Sequence, residues 1–170
     1  MRGREACPRL TGALAPGSLK PSCHYKVNRI PKKPLSEIDV STLAQFVLTS
    51  EDEKDLVRGI ELFNSGKFWE AHEAWEAIWL KHPEDGRFFI QGLIQLAAGY
   101  HQLGKKIYRG LLIHLHQAEE RLRLFPSDFL GINVSALLSV IRGSLRELES
   151  QPSFESVDFD KLEIARIERA

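Results

Sequence analysis

The sequence predicts an all-α fold, an antiparallel helical-hairpin bundle of about five main helices. After Pro34, apolar residues recur at the three- and four-residue spacing of an amphipathic helix almost throughout. Glycine, proline and polar residues interrupt this pattern at the intervals expected for helical hairpins, and no stretch alternates as a strand would. We therefore expect one helical domain at residues 37–150, preceded by a first segment, 1–36, and followed by a C-terminal tail, 151–170.

The first segment differs from the rest of the chain in charge. Residues 1–36 hold eight basic residues and one acidic residue, whereas the remainder carries a net charge of −7. Such a proline-rich segment without an amphipathic period is expected to be disordered, because it buries too little apolar surface to offset its ordering entropy. Its basic, acid-poor composition is typical of an organelle transit peptide. The alternative is a solvated basic tail on a cytoplasmic protein. Both cysteines, Cys7 and Cys23, lie here, so cleavage would leave no thiol.

Capping and terminating residues place the helices that follow. A short helix is expected from about Val40 to Leu48, and the sequence Ser50-Glu51-Asp52-Glu53 predicts a capping box at the start of the next one. Gly66 and Gly104 mark helix ends, as do the prolines after the second and fourth main helices. The main helices are predicted at residues 50–63, 67–82, 88–103, 108–125 and 133–148. A further turn or two of helix is predicted from Leu162 to Ile167.

The first predicted hairpin resembles a tetratricopeptide unit in its spacing. The positions that match are Gly59, Gly66, Phe68, Ala71, Trp75, Ile78 and Pro83. In that repeat the small residues let the helices approach closely, and the aromatic positions pack the second helix on the first. A poorer second copy covers residues 97–118, with a turn predicted to be about two residues longer. The resemblance implies a stack of hairpins, although two copies are fewer than the usual three.

Residues 67–82 contain all three tryptophans of the chain and the most informative polar pair. At about 100° per residue, His72 and Glu76 fall on one helical face. The apolar residues predicted on that face are Phe68, Trp69, Trp75, Trp79 and Leu80. An imidazole and a carboxylate on an apolar face are costly unless paired or hydrogen-bonded. The pair therefore predicts either a site or a satisfied hydrogen bond in an aromatic core.

Three interpretations of this pair remain open: a site for a peptide or small polar molecule, a divalent metal site, and a structural pair. The i, i+4 spacing of His72 and Glu76 lets two ligands reach one metal. A zinc site needs a third ligand, and Glu73 lies about 100° away on the helix. Other candidates for that ligand are His101 and His114.

The third main helix is predicted to complement the pair. Gln91, Gln95 and Gln102 form one stripe on a helix that is otherwise apolar, and Gly92 and Gly99 would permit close approach of a neighbour. The stripe either faces solvent or brings Gln95 beside the histidine and glutamate. The predicted ligand-binding set is Trp69, His72, Glu73, Glu76, Trp79 and Gln95.

The motif and its surroundings resemble a known family. The stretch Phe63-Asn64-x-Gly66-x-Phe68-Trp69-Glu70-Ala71-His72-Glu73-x-Trp75-Glu76-x-x-Trp79, followed by Gly92-Leu93-Ile94-Gln95-Leu96-Ala97-Ala98, looks like domain of unknown function 309. That family's signature, a histidine, three residues, a glutamate, two residues and a tryptophan, is complete here. The resemblance covers roughly 53–125 and implies an all-helical domain of bacteria, archaea and plastid-bearing lineages, with no established activity. It also favours a plastid address for the first segment.

These observations favour a non-catalytic binding module, with the histidine and glutamate giving polar specificity within an aromatic pocket. The alternative is a hydrolase with Glu76 as a general base oriented by His72, with or without a divalent metal. A purely structural pair is the third possibility. The small basic turn at residues 105–109 has too few charges for a nucleic-acid interface on an acidic domain, and no run is apolar enough for a membrane helix.

Overall fold

The computed structural model describes residues 37–43, 46–151 and 156–169, so the first segment, 1–36, lies outside the described residues. Within those ranges the chain forms the predicted all-α bundle. Its helices are α1 (Val40–Leu43), α2 (Ser50–Asn64), α3 (Phe68–Lys81), α4 (Arg87–Gly104), α5 (Tyr108–Leu122) and α6 (Val134–Ser150). The first of these is shorter than predicted, because residues 46–49 are not helical.

Each helix from α2 to α6 packs against the next in an antiparallel arrangement. Asp52 at the start of α2 meets His82, which directly follows α3, with 3.0 Å between Oδ2 and Nε2. At the other end of the stack, the hydroxyl of Tyr108 at the start of α5 donates to the carbonyl of Leu148 near the end of α6 (2.8 Å). Each helix therefore contacts the helix before it and the helix after it, which gives the stack of hairpins that the tetratricopeptide-like spacing predicts.

The two hairpin turns have the same backbone. They comprise residues 65–67 and 105–107, so the prediction of a longer second turn was wrong. Gly66 has φ +77° in the first turn, and Lys106 has φ +56° at the equivalent place in the second. The amide of Gly66 donates to Phe63 O (2.9 Å), and that of Lys106 donates to Leu103 O (2.8 Å). A lysine thus occupies a left-handed position that normally favours glycine.

The capping box of α2 lies one residue earlier than predicted. Thr49, not Ser50, is the N-cap, and its hydroxyl accepts from the Asp52 amide at 3.2 Å. The Asp52 carboxylate in turn accepts from the Thr49 amide at 3.4 Å. Asp52 is buried and receives hydrogen bonds from Lys81 and the His82 ring, whereas the alternative third residue of the box, Glu53, is exposed. Tertiary contacts therefore decide which acidic residue closes the box.

The interface between α2 and α3 requires a glycine. A Cβ atom at Gly59 would lie 2.1 Å from Nε1 of Trp75, so any side chain there would displace the fully buried indole. This is the close helix approach expected at that position. Of the helices that the structure describes, none combines the length and the apolar character needed to cross a membrane.

A small hairpin and an extended tail complete the fold, and both depart from the sequence predictions. Strands β1 (Asp128–Phe129) and β2 (Ile132–Asn133) pair in antiparallel register. Each strand has two residues, too few to show alternation, which is why the sequence contains no strand pattern. After a 3₁₀ helix at Phe159–Lys161, the tail is extended where a helix was predicted. Its backbone is held by tertiary contacts: the Ala165 amide donates to the hydroxyl of Tyr100 at 2.8 Å.

Candidate ligand-binding face

Helix α3 buries a different stripe from the one predicted. Ala71, Trp75 and Ile78 are each fully buried. The indole N–H of Trp75 donates to the carbonyl of Leu56 at 3.3 Å. Trp75 therefore belongs to the core between α2 and α3 and does not line a site.

Glu76 is exposed, which corrects the prediction of a buried pair among three tryptophans. Trp69 and Leu80 are also exposed, at 48% and 56%. The prediction treated these two large apolar residues as buried, and it therefore assigned Glu76 to the buried face of the helix. Neither a hydrogen bond nor an ion pair joins His72 to Glu76 in the part of the chain that the structure describes. A satisfied histidine–glutamate pair in the core is therefore ruled out.

The same observation leaves the hydrolase alternative without its proposed orienting contact. His72 was expected to orient Glu76 as a general base, yet no hydrogen bond or ion pair joins the two side chains within the described residues. Glu73 is exposed as well. Among the described residues, no group of three or more histidine, cysteine, aspartate or glutamate side chains is arranged to hold a metal ion.

His72 lies beside an aromatic stack at the edge of the buried stripe. Its ring is parallel to that of Trp69, with 5.0 Å between centroids and 6° between planes. The other neighbour of Trp69 is His101 of α4, whose ring centroid lies 5.3 Å away. The Nδ1 atom of His72 is buried and has no hydrogen-bond partner within the described ranges. Stacking thus fixes the imidazole while one of its nitrogens remains unpaired.

Gln95 of α4 bonds to α5, and its predicted place beside His72 and Glu76 stays a prediction. Its Oε1 atom lies 2.7 Å from Nδ1 of His114 on α5. Gly99 faces the same helix, and a Cβ there would lie 3.4 Å from the Cβ of His114, which is an ordinary van der Waals contact. Gln91 and Gln102 of the same stripe are half-buried.

The electrostatic environment of His114 favours its neutral form. Burial lowers the pKa of His114, and the nearby His72 lowers it further. With the amide oxygen of Gln95 as acceptor, Nδ1 of His114 carries the proton. Its Nε2 is then left with a lone pair that can accept a hydrogen bond.

A second group of polar side chains lies where α3 ends and α4 begins. The guanidinium of Arg87 lies over the ring of Trp79, with its carbon 5.3 Å from the centroid. Further along α4, Gly92 packs against Arg121 of α5, where an added Cβ would lie 3.4 Å from the Cβ of Arg121. Nε1 of Trp79 and Nε of Arg121 are both buried and have no hydrogen-bond partner in the described part of the chain.

We refer to a set of side chains on these three helices, with aromatic rings or unpaired polar atoms, as the α3–α5 face. Its members are Trp69, His72, Trp79, Gln95, His101, His114 and Arg121. It combines aromatic surface with unpaired hydrogen-bonding groups. Sequence reasoning did not identify Arg121, although His114, Gln117 and Arg121 share one side of an amphipathic helix at i, i+3 and i+7.

A surface cavity elsewhere does not contain the predicted site. It has a volume of about 350 Å³ and is lined by residues that include Phe46, His82 and Glu84. None of the side chains of the α3–α5 face contributes to it. The site predicted from the motif is thus a partly exposed face of three helices and is separate from this cavity.

Comparison with known proteins places the motif in a family. Residues 56–113 match the family model described as "Domain of unknown function (DUF309)". The matched stretch runs from within α2 to within α5 and includes His72, Glu76 and Trp79, whereas Arg121 lies beyond it. Comparison with curated proteins found no match.

Proposed function

We propose that this protein, whose residues 56–113 match the DUF309 family model, is a non-catalytic binding module whose α3–α5 face takes a peptide or a small polar ligand. One observation carries this proposal. The imidazole Nδ1 of His72 and the indole Nε1 of Trp79 are buried without hydrogen-bond partners among the described residues.

Unpaired polar atoms of this kind are expensive to keep. A buried donor or acceptor without a partner costs roughly 1–3 kcal/mol, and native structures contain few of them. Here they occur on two partly exposed side chains that lie about two helical turns apart on one side of α3. A ligand that bonds to these atoms would recover the lost hydrogen bonds, which gives the face a reason to bind.

The other members of the face supply contact area and a complementary acceptor. Trp69 is 48% exposed and is held by stacking on His72, so it offers a preformed apolar surface. His114 contributes the acceptor nitrogen that its bond to Gln95 leaves free. Apolar surface with a few placed polar groups is the usual composition of a small-molecule site.

Nitrogen-15 NMR of the three indole groups tests the proposal, because the tryptophans occupy different environments. We would titrate the protein with a panel of short peptides and small polar compounds. A ligand of the face should shift the indole signals of Trp69 and Trp79 saturably and leave that of Trp75 in place. His72→Ala should weaken the binding, whereas His116→Ala should not, since His116 pairs with Glu149 outside the face. Shifts confined to Trp75, or equal binding by the His72 variant, would reject the site.

We also propose that the basic first segment directs the protein to a plastid and is then removed. Support comes from its eight basic residues against one acidic residue and from the family's occurrence in plastid-bearing lineages. Residues 1–36 fused to a fluorescent reporter should enter plastids in a plant cell, and a variant with the basic residues replaced by glutamine should not. A cytosolic reporter, together with an intact N-terminus in the native protein, would favour the basic-tail alternative.

A further inference from the structure

Arg121 carries a charge that the described protein does not neutralise. The side chain is half-buried, and its Nη1 donates to the backbone carbonyl of Gln117 at 2.8 Å. Its Nε is buried and unpartnered, and no carboxylate of the described residues lies within ion-pair distance. Burial lowers the pKa of Arg121, and the neighbouring Glu120 offsets this only in part. A half-buried guanidinium without a carboxylate partner is available to bind an anion through charge-assisted hydrogen bonds.

His72 of α3 lies near enough to His114 of α5 to lower its pKa, and Trp79 and Arg121 follow these histidines by seven residues each, which is about two helical turns. Because α3 and α5 both pack antiparallel to α4, we expect the groups beside Arg121 to be hydrogen-bond donors or cations. The Nε1 atom of Trp79 can only donate, and it too is unpartnered in the described structure. Arg87, which is 6% exposed, provides a second guanidinium, and this group lies over the ring of Trp79. It uses Nη1 to donate to the carbonyl of His82 at 3.3 Å. This end of the face therefore presents donors and positive charge.

We infer that the ligand of the α3–α5 face carries an anionic group, a carboxylate or a phosphate, that binds between the Arg121 guanidinium and the Trp79 indole N–H. The inference rests on the proposed function and specifies its ligand class. An anion there would accept from both unpartnered donors at once, and guanidinium forks bind planar or tetrahedral oxyanions with paired hydrogen bonds. The histidines would then contact the uncharged remainder of the ligand.

Succinate, inorganic phosphate and succinamide are suitable probes, because succinamide has the shape of succinate without its charge. We would follow the indole signal of Trp79 and the Nε–H signal of Arg121 by NMR. At least one of the two anions should shift both signals saturably, with succinamide binding about tenfold more weakly. Succinate and phosphate in separate titrations distinguish a carboxylate ligand from a phosphate ligand.

Arg121→Gln should weaken binding of that anion by about tenfold or more, because it removes a charge-assisted hydrogen bond. Arg123→Gln is the matched control: Arg123 is exposed two residues further along, so binding should not change. Arg121→Met adds a readout that a purely structural role would not give. It should abolish anion binding while leaving the melting temperature equal or higher, because it removes an unpaired charge.

The outcomes separate the two proposals. If succinamide shifts the signals of Trp69 and Trp79 as strongly as the anions, or if Arg121→Gln binds anions normally, the anionic inference fails and the binding face stands. If neither anions nor succinamide shift any signal of the face, the inference is overturned. If the wider panel of peptides and polar compounds also leaves the signals in place, the proposed function is overturned as well.

Discussion

Asn64 forms a two-way hydrogen bond with the backbone of Ile167. Its Nδ2 donates to the carbonyl of Ile167, and the amide of Ile167 donates to its Oδ1, both at 2.9 Å. A side-chain amide thereby pairs with the extended tail as a neighbouring strand would, and Ile167 is buried beneath it. The last residue of α2 thus holds the C-terminal tail against the helices.

Asn64→Ala should lower the free energy of unfolding by about 2 kcal/mol, because it strands two backbone groups of Ile167. Urea denaturation measures the loss. Ser65→Ala is the control. The Ser65 hydroxyl donates to Glu61 O at an exposed position, so water can take its place in the variant. We expect the control to stay within about 0.5 kcal/mol of wild type. Equal losses in both variants would mean that the tail is not held through Asn64.

Lys106→Gly should raise the stability by roughly 1 kcal/mol, because it relieves a left-handed backbone position without loss of a described side-chain contact. Gly66→Lys, the reciprocal change in the equivalent turn, should lower the stability by a similar amount. Thermal unfolding of the two variants provides the comparison. A destabilised Lys106→Gly protein would show that the lysine side chain contributes a contact of its own.

The Asp52 cluster predicts a specific loss of stability in acid. Burial alone would raise the pKa of Asp52, but hydrogen bonds from Thr49, His82 and Lys81 outweigh it and hold the pKa well below its usual range. The folded carboxyl therefore ionises more readily than the unfolded one, whose pKa is about 3.9. Its stabilisation is complete above about pH 4 and is lost as the pH falls further.

Melting temperatures between pH 3 and pH 7 test this expectation. Asp52→Asn should be less stable than wild type near neutrality, and the difference should shrink below about pH 4. Glu53→Gln, at an exposed position of the same helix, should keep the wild-type pH dependence. A constant difference at all pH values would show that the carboxylate charge does not stabilise the fold.

Glu76→Ala should leave the stability within about 0.5 kcal/mol of wild type, because its side chain is exposed and unbonded to His72. His72→Ala should be tolerated or slightly stabilising, since it removes an unpartnered buried nitrogen. Trp75→Ala, in the core, should cost about 3–5 kcal/mol. A large loss of stability in the Glu76→Ala variant would instead support a buried pair of His72 and Glu76.

His114 should titrate below the ordinary histidine value of about 6.5 in an NMR experiment. The direction follows from burial and from the charge of the neighbouring His72. Because the folded state disfavours the extra proton, this residue should reduce stability as the pH falls below about 6.5. His72→Ala should raise the pKa of His114, whereas His116→Ala should not move it. An unchanged value in the His72 variant would show that the two imidazoles do not interact.

The helices could be predicted because local residues set their ends. Asn133 caps α6 by accepting from the amide of Ala136, and Pro83 follows the end of α3. The tail could not be predicted in the same way. The stretch from Leu162 to Ile167 has helix-forming residues, but Tyr100 and Asn64 engage its backbone in an extended conformation. Those partners are distant in sequence and leave no periodic signal.

The site was predicted on the correct helix but with an inaccurate orientation. Helical periodicity fixes which residues share a face, but it does not show which face a neighbouring helix covers. Trp69 and Leu80 are large apolar residues of a type that is usually buried, but both are exposed. Because the prediction counted them as core, it chose the wrong buried face of α3. The glutamine stripe stood out on an apolar helix, but it did not reveal that Gln95 bonds to His114 of α5. Arg121 was missed because its partial burial and its unpartnered Nε arise only when α4 and α5 pack.

The distances along the chain between contacting residues set an order for folding. Each hairpin is closed by partners 19 residues apart, Leu56 with Trp75 and Gln95 with His114, whereas Asn64 and Ile167 are separated by 103 residues. Closing the longer loop costs roughly 1.5 kcal/mol more in chain entropy, so the tail should dock after the hairpins have formed. Interactions that form after the transition state affect the unfolding rate. We therefore expect the tail to slow unfolding: its loss would accelerate unfolding and leave the folding rate of the helices nearly unchanged.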